Sequence, residues 1–195
     1  MKLENDERES IETSDRRSTL SAVETVRRWT HGFVPEAEIL QIGFEGGAIP
    51  QLLIEAGLVL HLAESSIARL GIFRQMFPEI PSACSEHKGC AFFSRTFDGV
   101  LLCGITRAVP NDMQIAQLAR IERLLRAGGR LLIIIPGEKQ PPFYAATHAQ
   151  TETPTRIAYE RILRNSGLEI MSGTLDQNGN EYVAAVKHVH AGVPH

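Results

Sequence analysis

The sequence reads as an open α/β sheet on three observations: short apolar strands alternate with amphipathic helices, a glycine-rich turn follows the first strand, and a hairpin closes the chain. Such a pattern folds as a three-layer α/β/α sandwich. Its seven-stranded sheet is mostly parallel and ends in a C-terminal antiparallel hairpin. A length of 195 residues with 43% apolar side chains suits one compact domain, placed at residues 19–188.

Residues 1–18 carry ten charged side chains against Met1, Leu3 and Ile11. That composition cannot offset its own ordering entropy and reads as a tail. From Thr19, Leu20, Val23, Val26 and Trp29 recur at helical spacing until His31-Gly32 and Pro35 stop the run. A strand over 38–42 follows, then a helix with Ile49, Leu52, Leu53 and Ala56 on one face, ended by Gly57. Leu58 to Ala63 forms the second strand, and Ser66 to Phe77 a helix that turns Ile67, Leu70, Phe73 and Phe77 inward before Pro78. The third strand, over 80–86, is weakly patterned, whereas Asp98 to Cys103 is clear. Asn111 or Asp112 caps a helix whose Ile115, Leu118, Ile121 and Leu125 share a face, and Ala127-Gly128-Gly129 ends it. Arg130 to Ile135 has the unbroken apolar character of a central parallel strand. A long loop then runs to Pro154, followed by a helix with Ile157, Tyr159, Ile162 and Leu163. Leu168 to Ser172 and Tyr182 to Lys187 flank Asp176-Gln177-Asn178-Gly179-Asn180, a strong turn signal. Residues 189–195 form a C-terminal tail in which His190 and His195, after His188, read as solvated.

Composition excludes several function classes. Lysine and arginine total 20 against 23 acidic residues, a formal charge of -3, so the basic footprint of a nucleic-acid binder is missing. Cys84, Cys90 and Cys103 are too few for a disulfide framework and read as reduced thiols of a cytoplasmic protein. Apolar runs such as Leu131 to Pro136 fall far short of the roughly 20 residues that cross a bilayer, and the charged start lacks the apolar core of an export signal. Cys84, His87 and Cys90 stand three residues apart, a spacing that invites zinc, but a fourth ligand is missing and burial explains them better; no metal is expected.

Chemistry concentrates after the first strand. Gln41-Ile42-Gly43-Phe44-Glu45-Gly46-Gly47 places backbone N–H groups at a helix N-terminus, a nucleotide-cofactor position. The dinucleotide fingerprint G-x-G-x-x-G is not met, because Glu45 occupies its second glycine. A short-chain dehydrogenase also fails, since neither Tyr144 nor Tyr159 is followed four residues later by lysine.

Over about residues 20 to 188 the chain resembles the class I S-adenosylmethionine-dependent methyltransferases of the small-molecule type. At the four key positions of their first loop, D-x-G-x-G-x-G, stand Gln41, Gly43, Glu45 and Gly47; Phe97-Asp98-Gly99-Val100 with Val109-Pro110-Asn111-Asp112 is similar to F-D-x-V…H-V-P-D; and Leu124 to Leu132 is similar to R-x-L-K-P-G-G-x-L-x. The resemblance implies a Rossmann-like fold and S-adenosylmethionine as cofactor. It implies contacts from Gln41, Gly43, Glu45, Gly46, Gly47, Glu64, Ser65, Glu86 and Cys103, with Glu64 at the ribose diol and Glu86 at the adenine. Two acceptor oxygens on one carboxylate suit two hydroxyl donors.

Gln41 and Glu45 depart from the pattern and leave two readings. Either Glu45 restores the lost acid and the chain is a methyltransferase acting on a small molecule, or the loop has decayed. In the second case the chain is a pseudoenzyme serving as a binding or assembly subunit, in a homo- or hetero-oligomer. For the enzyme, His148 and Tyr144 in the long loop are the candidate proton acceptors. The Asn/Asp-Pro-Pro-Tyr motif of DNA- and protein-amino methylators is absent at Cys103-Gly104-Ile105-Thr106, which points the activity toward small acceptors.

Overall fold

The computed structural model describes residues 21–85, 90–103, 118, 120–137, 156–176 and 178–188. Helix α1 (Ala22–Thr30) begins at Ser21, whose hydroxyl accepts the Glu24 N–H at 3.3 Å, and it buries Val26 and Trp29. Four strands follow with two helices between the first three: β1 (Glu38–Ile42), α2 (Ala48–Glu55), β2 (Val59–Glu64), α3 (Ile67–Met76), β3 (Ser82–Cys84) and β4 (Phe97–Cys103). Helical residues 120–124 lead into β5 (Leu125–Ile135), and α4 (Arg156–Asn165) precedes β6 (Leu168–Leu175) and β7 (Glu181–Lys187).

These strands form one sheet in the order β3-β2-β1-β4-β5-β7-β6. β3, β2, β1, β4 and β5 run parallel, while β7 is antiparallel to both β5 and β6. Strand alternation divides the core between two faces. Val26, Leu52, Leu53, Leu70 and Phe73 from α1 to α3 cover Ile39, Leu60, Leu101 and Leu132 on one. Leu118, Ile121, Leu124, Tyr159 and Leu163 cover Leu40, Val100, Leu131 and Ile133 on the other. The chain leaves β1 toward β2 on one side and meets β4 on the other, so β1 marks the switch point at whose carboxyl end doubly wound sheets bind their ligands.

Several expectations change in detail. Ile67 and Ile157 are both 71% exposed, although helical spacing turns them inward. Each lies in the first turn of its helix, and Ile67 comes only three residues after the end of β2. Leu125 begins β5 instead of ending the preceding helix; regular pairing with β4 starts at Arg130 opposite Gly99, after a register shift. β6 runs on to Leu175, beyond the Ser172 expected. The tails, the 111–117 helix start and the 138–154 loop lie outside the described residues.

At the opposite, amino end of the sheet sits an ion cluster. The Glu38 carboxylate binds Arg95 at 2.5 Å and also Arg126, while Asp98 accepts the Glu38 N–H at 2.8 Å and Arg126 at 2.5 Å. Partial burial raises the Glu38 and Asp98 carboxyls, but the Arg126 hydrogen bonds and the other charges outweigh it, leaving both below their ordinary values. His61 lies buried beside Glu38, edge-on to Phe92 and Phe97 with ring centroids 5.4 Å away. Desolvation and the Arg95 charge hold its imidazole below the ordinary value against the pull of Glu38.

Candidate functional site

The loop after β1 is built by a close approach. Gly43 has φ +90°, and a Cβ there would sit 2.2 Å from the Cys103 carbonyl oxygen, so only glycine fits. Its N–H bonds the Ala63 carbonyl at 2.8 Å, which carries the sheet register into the loop. Gln41 lies beneath, 1% exposed, and donates its side-chain amide to the Gly43 carbonyl at 2.9 Å. The amide oxygen Oε1 of Gln41 is buried with no hydrogen-bond partner among the described residues. Gly46 follows at φ +136° with open space around it. Gly47 starts α2 without a side-chain cap, so the Ala48 and Ile49 N–H groups, ahead of Pro50, have no capping side chain.

Glu64 is the hub of the site. It is fully buried at the carboxyl end of β2, where Oε2 accepts the Phe44 N–H at 2.7 Å. Oε1 accepts the Ser66 N–H at 2.7 Å, Arg69 Nη2 at 2.6 Å and the Ser65 hydroxyl at 3.3 Å. One carboxylate therefore ties the glycine loop to the start of α3. A buried charge persists only when so paired.

Glu45 stands at the mouth. Its surroundings desolvate the carboxyl and the charge of Glu64 adds to this, raising it above its ordinary value against the opposing charge of Arg69. Because the residue as a whole is exposed, water tempers that shift. The negative charge of Glu45 also reaches Cys103 and Tyr182. Cys103 is buried, and desolvation before Glu45 pushes its thiol well above the ordinary value.

The β6–β7 hairpin borders the same face. Asp176 is buried and accepts the N–H groups of Asn178 and Asn180 at 2.8 and 2.9 Å, the Asn180 side-chain amide at 2.9 Å and the Tyr182 hydroxyl at 2.8 Å. Burial raises its carboxyl, but these four donors outweigh burial and leave it below the ordinary value. Asn180 in turn accepts the Gly137 N–H at 3.0 Å, anchoring the exit from β5. Desolvation and Asp176 keep Tyr182 protonated as a donor.

The structure thus brings Gln41, Gly43, Glu45, Gly46, Gly47, Glu64, Ser65 and Cys103 to the carboxyl ends of β1, β2 and β4. Glu86, His87, Tyr144 and His148 lie outside the described residues, and Cys84 and Cys90 are free thiols. Sequence reasoning missed Arg69 and the Asp176–Tyr182 pair. Arg69 follows Glu64 by five residues, so one helical turn returns it to the strand end; that spacing was the available signal.

No family model matches the chain, and no curated protein matches it. Solved structures do. Magnesium protoporphyrin IX methyltransferase (ChlM) from Synechocystis PCC 6803, with bound SAM, superposes with TM-score 0.66 at 15% identity, over 85% of this chain and 77% of that one. A TehB-like SAM-dependent methyltransferase from Corynebacterium glutamicum gives 0.64 at 19%, over 84% and 86%. A third, the 1,6-didemethyltoxoflavin-N1-methyltransferase from Burkholderia thailandensis with bound 1,6-didemethyltoxoflavin and S-adenosylhomocysteine, gives 0.64 at 21%, over 87% and 79%. The chain has the class I methyltransferase fold. In this methyltransferase fold the Gln41–Gly47 loop and Glu64 stand at the switch point between β2 and β4, where doubly wound sheets bind their ligands. No helix among the described residues is long and apolar enough to cross a membrane.

Proposed function

We propose that the crevice binds S-adenosylmethionine and that the protein transfers its methyl group to a small-molecule acceptor. One observation carries the reading: the glycine cradle at Gly43, closed by the Cys103 carbonyl, is tied through Phe44 to the buried Glu64 carboxylate. An adenosyl amino acid fits these groups. The uncapped start of α2 suits its carboxylate, the orphaned Gln41 Oε1 suits its ammonium, and Glu64 with Ser65 suits its ribose. Gly46, Gly47, Glu45, Glu86 and Cys103 complete the proposed cofactor set.

When bound, the cofactor supplies an activated methyl group on a sulfonium. The chain's own task is to orient an acceptor over the carboxyl ends of β4 and β5 and to exclude water. His148, with Tyr144 second, is assigned to take a proton from acceptors that must lose one. Similar folds act on magnesium protoporphyrin IX and on 1,6-didemethyltoxoflavin, which supports a small-molecule acceptor here. Three cysteines, too few for a disulfide framework, fit a reducing, cytoplasmic setting.

The rival reading, a non-catalytic subunit, is favoured by one feature: Glu64 already has four protein donors, as a structural carboxylate would. A thermal-shift series with the cofactor and S-adenosylhomocysteine separates the two. A ligand that binds only the folded state raises the midpoint by mass action. No rise at millimolar ligand, with a stable oligomer in light scattering, overturns the enzyme reading; methyl transfer to any acceptor overturns the rival. His148→Ala is expected to lower turnover and leave S-adenosylhomocysteine binding intact.

A further inference from the structure

A thioether reaches the glycine loop from outside the proposed ligand set. Met76 is the last residue of α3, yet its side chain lies against the start of α2: Cε is 2.5 Å and Sδ 3.8 Å from the position a Cβ on Gly47 would take. Two aromatic rings hold this approach in place. Phe77 comes within 3.7 Å of the same position, and Phe73 links it to the loop, 5.1 Å from the Phe77 ring and edge-on to Phe44 at 5.3 Å between centroids. Met76 is nonetheless 52% exposed, so small oxidants in water reach its side chain. Gly47 is also where a new acceptor counts. It begins α2 with no capping side chain for the N–H groups that follow it. A thioether is a weak acceptor, whereas oxidation makes the same side chain polar and adds an oxygen to the sulfur.

We propose that Met76 is an oxidation site that controls ligand binding at the glycine loop: its sulfoxide oxygen competes with the ligand's carboxylate for the uncapped N–H groups at the start of α2. The proposal rests on the adenosyl reading above and adds a modification that regulates the same site. The oxidant is hydrogen peroxide. The Met76 sulfur attacks one peroxide oxygen, the O–O bond breaks as the S–O bond forms, and the proton left on the transferred oxygen passes to the departing hydroxide, which leaves as water. Sulfur loses two electrons and peroxide gains them. The product is a neutral sulfoxide, which methionine sulfoxide reductases return to the thioether. Met171 supplies an internal control: it is 64% exposed, but it lies on β6, at the opposite edge of the sheet from β3. The same peroxide oxidises it without touching the loop.

Calorimetry with S-adenosylhomocysteine on wild type, Met76→Leu and Met171→Leu tests it, each protein compared with itself before and after hydrogen peroxide. Dithiothreitol then returns oxidised cysteines to thiols, and peptide mass spectrometry scores each methionine by its added oxygen. In wild type and in Met171→Leu, oxidation is expected to weaken binding about tenfold, the worth of one hydrogen bond to a charged group. Methionine sulfoxide reductases restore both mass and affinity. Met76→Leu is expected to keep its untreated affinity through the same treatment. Unchanged affinity in wild type carrying oxidised Met76 overturns the proposal, as does an equal loss in Met76→Leu, which places the effect on another residue. Oxidation of Met171 with Met76 left intact overturns it too, because the thioether is then closed to peroxide. If untreated wild type binds no S-adenosylhomocysteine, the adenosyl reading falls and the proposal with it. Should Met76→Leu not fold, Met76→Ile, equally apolar and free of sulfur, makes the same comparison.

Discussion

The Phe44 N–H and the Glu64 carboxylate lie 2.7 Å apart, twenty residues distant in sequence, and this bond holds the glycine loop over the end of β2. Glu64→Ala would leave the N–H groups of Phe44 and Ser66 and the charge of Arg69 without their shared acceptor. Breaking a buried pair in this way costs about 3 kcal/mol. The expected outcome is a lower denaturant midpoint with unchanged slope, together with lost ligand affinity. A variant of wild-type stability would show that the hub has no structural role.

Gly43 and Gly71 make an informative contrast. Gly43→Ala places a methyl 2.2 Å from the Cys103 carbonyl at φ +90°, so the backbone must shift; a loss of about 2 kcal/mol is expected. Gly71 lies inside α3 with no atom within 4 Å of its missing Cβ, so Gly71→Ala should stabilise the protein by roughly 0.5 to 1 kcal/mol. Urea unfolding of both variants checks the pair, and opposite signs are required.

Acid should destabilise the fold in two steps. His61 has a folded-state pKa below its unfolded value of 6.5, so the unfolded chain takes up the proton first. Its contribution is present above pH 6.5 and is lost as pH falls toward the folded value. Glu38 and Asp98 are likewise depressed, and their contribution is lost below their unfolded values of 4.5 and 3.8. His61→Phe, which keeps a ring against Phe92 and Phe97, should remove the upper step and leave the lower one. Unfolding measured between pH 7.5 and pH 3 decides it.

The three thiols should separate by reactivity. Cys84 is half-buried at the end of β3, whereas Cys90 and Cys103 are buried, and burial pushes the Cys103 thiol up. Alkylation of the native protein at pH 8, followed by peptide mass spectrometry, is expected to mark Cys84 first and Cys103 only on unfolding. Early labelling of Cys103 would contradict its burial.

Local rules were enough to read the strands, helices and closing hairpin from the sequence. Period-two and helical spacing and the Asp176 to Asn180 turn each act within a few residues. The glycine loop was legible for the same reason, since Gly43 answers to a backbone angle that its own residue type permits. Tertiary structure alone decided which charges meet. Glu38, the Arg95–Asp98 segment and Arg126 are far apart in sequence, and nothing in their spacing announces the cluster at the amino end of the sheet. It also decided that Ile67 and Ile157, each in the first turn of its helix, face water. The state of Glu64 belongs to the same class: its position was readable, but its partners depend on where the chain brings Phe44 and Arg69, and a buried carboxylate is defined by its donors.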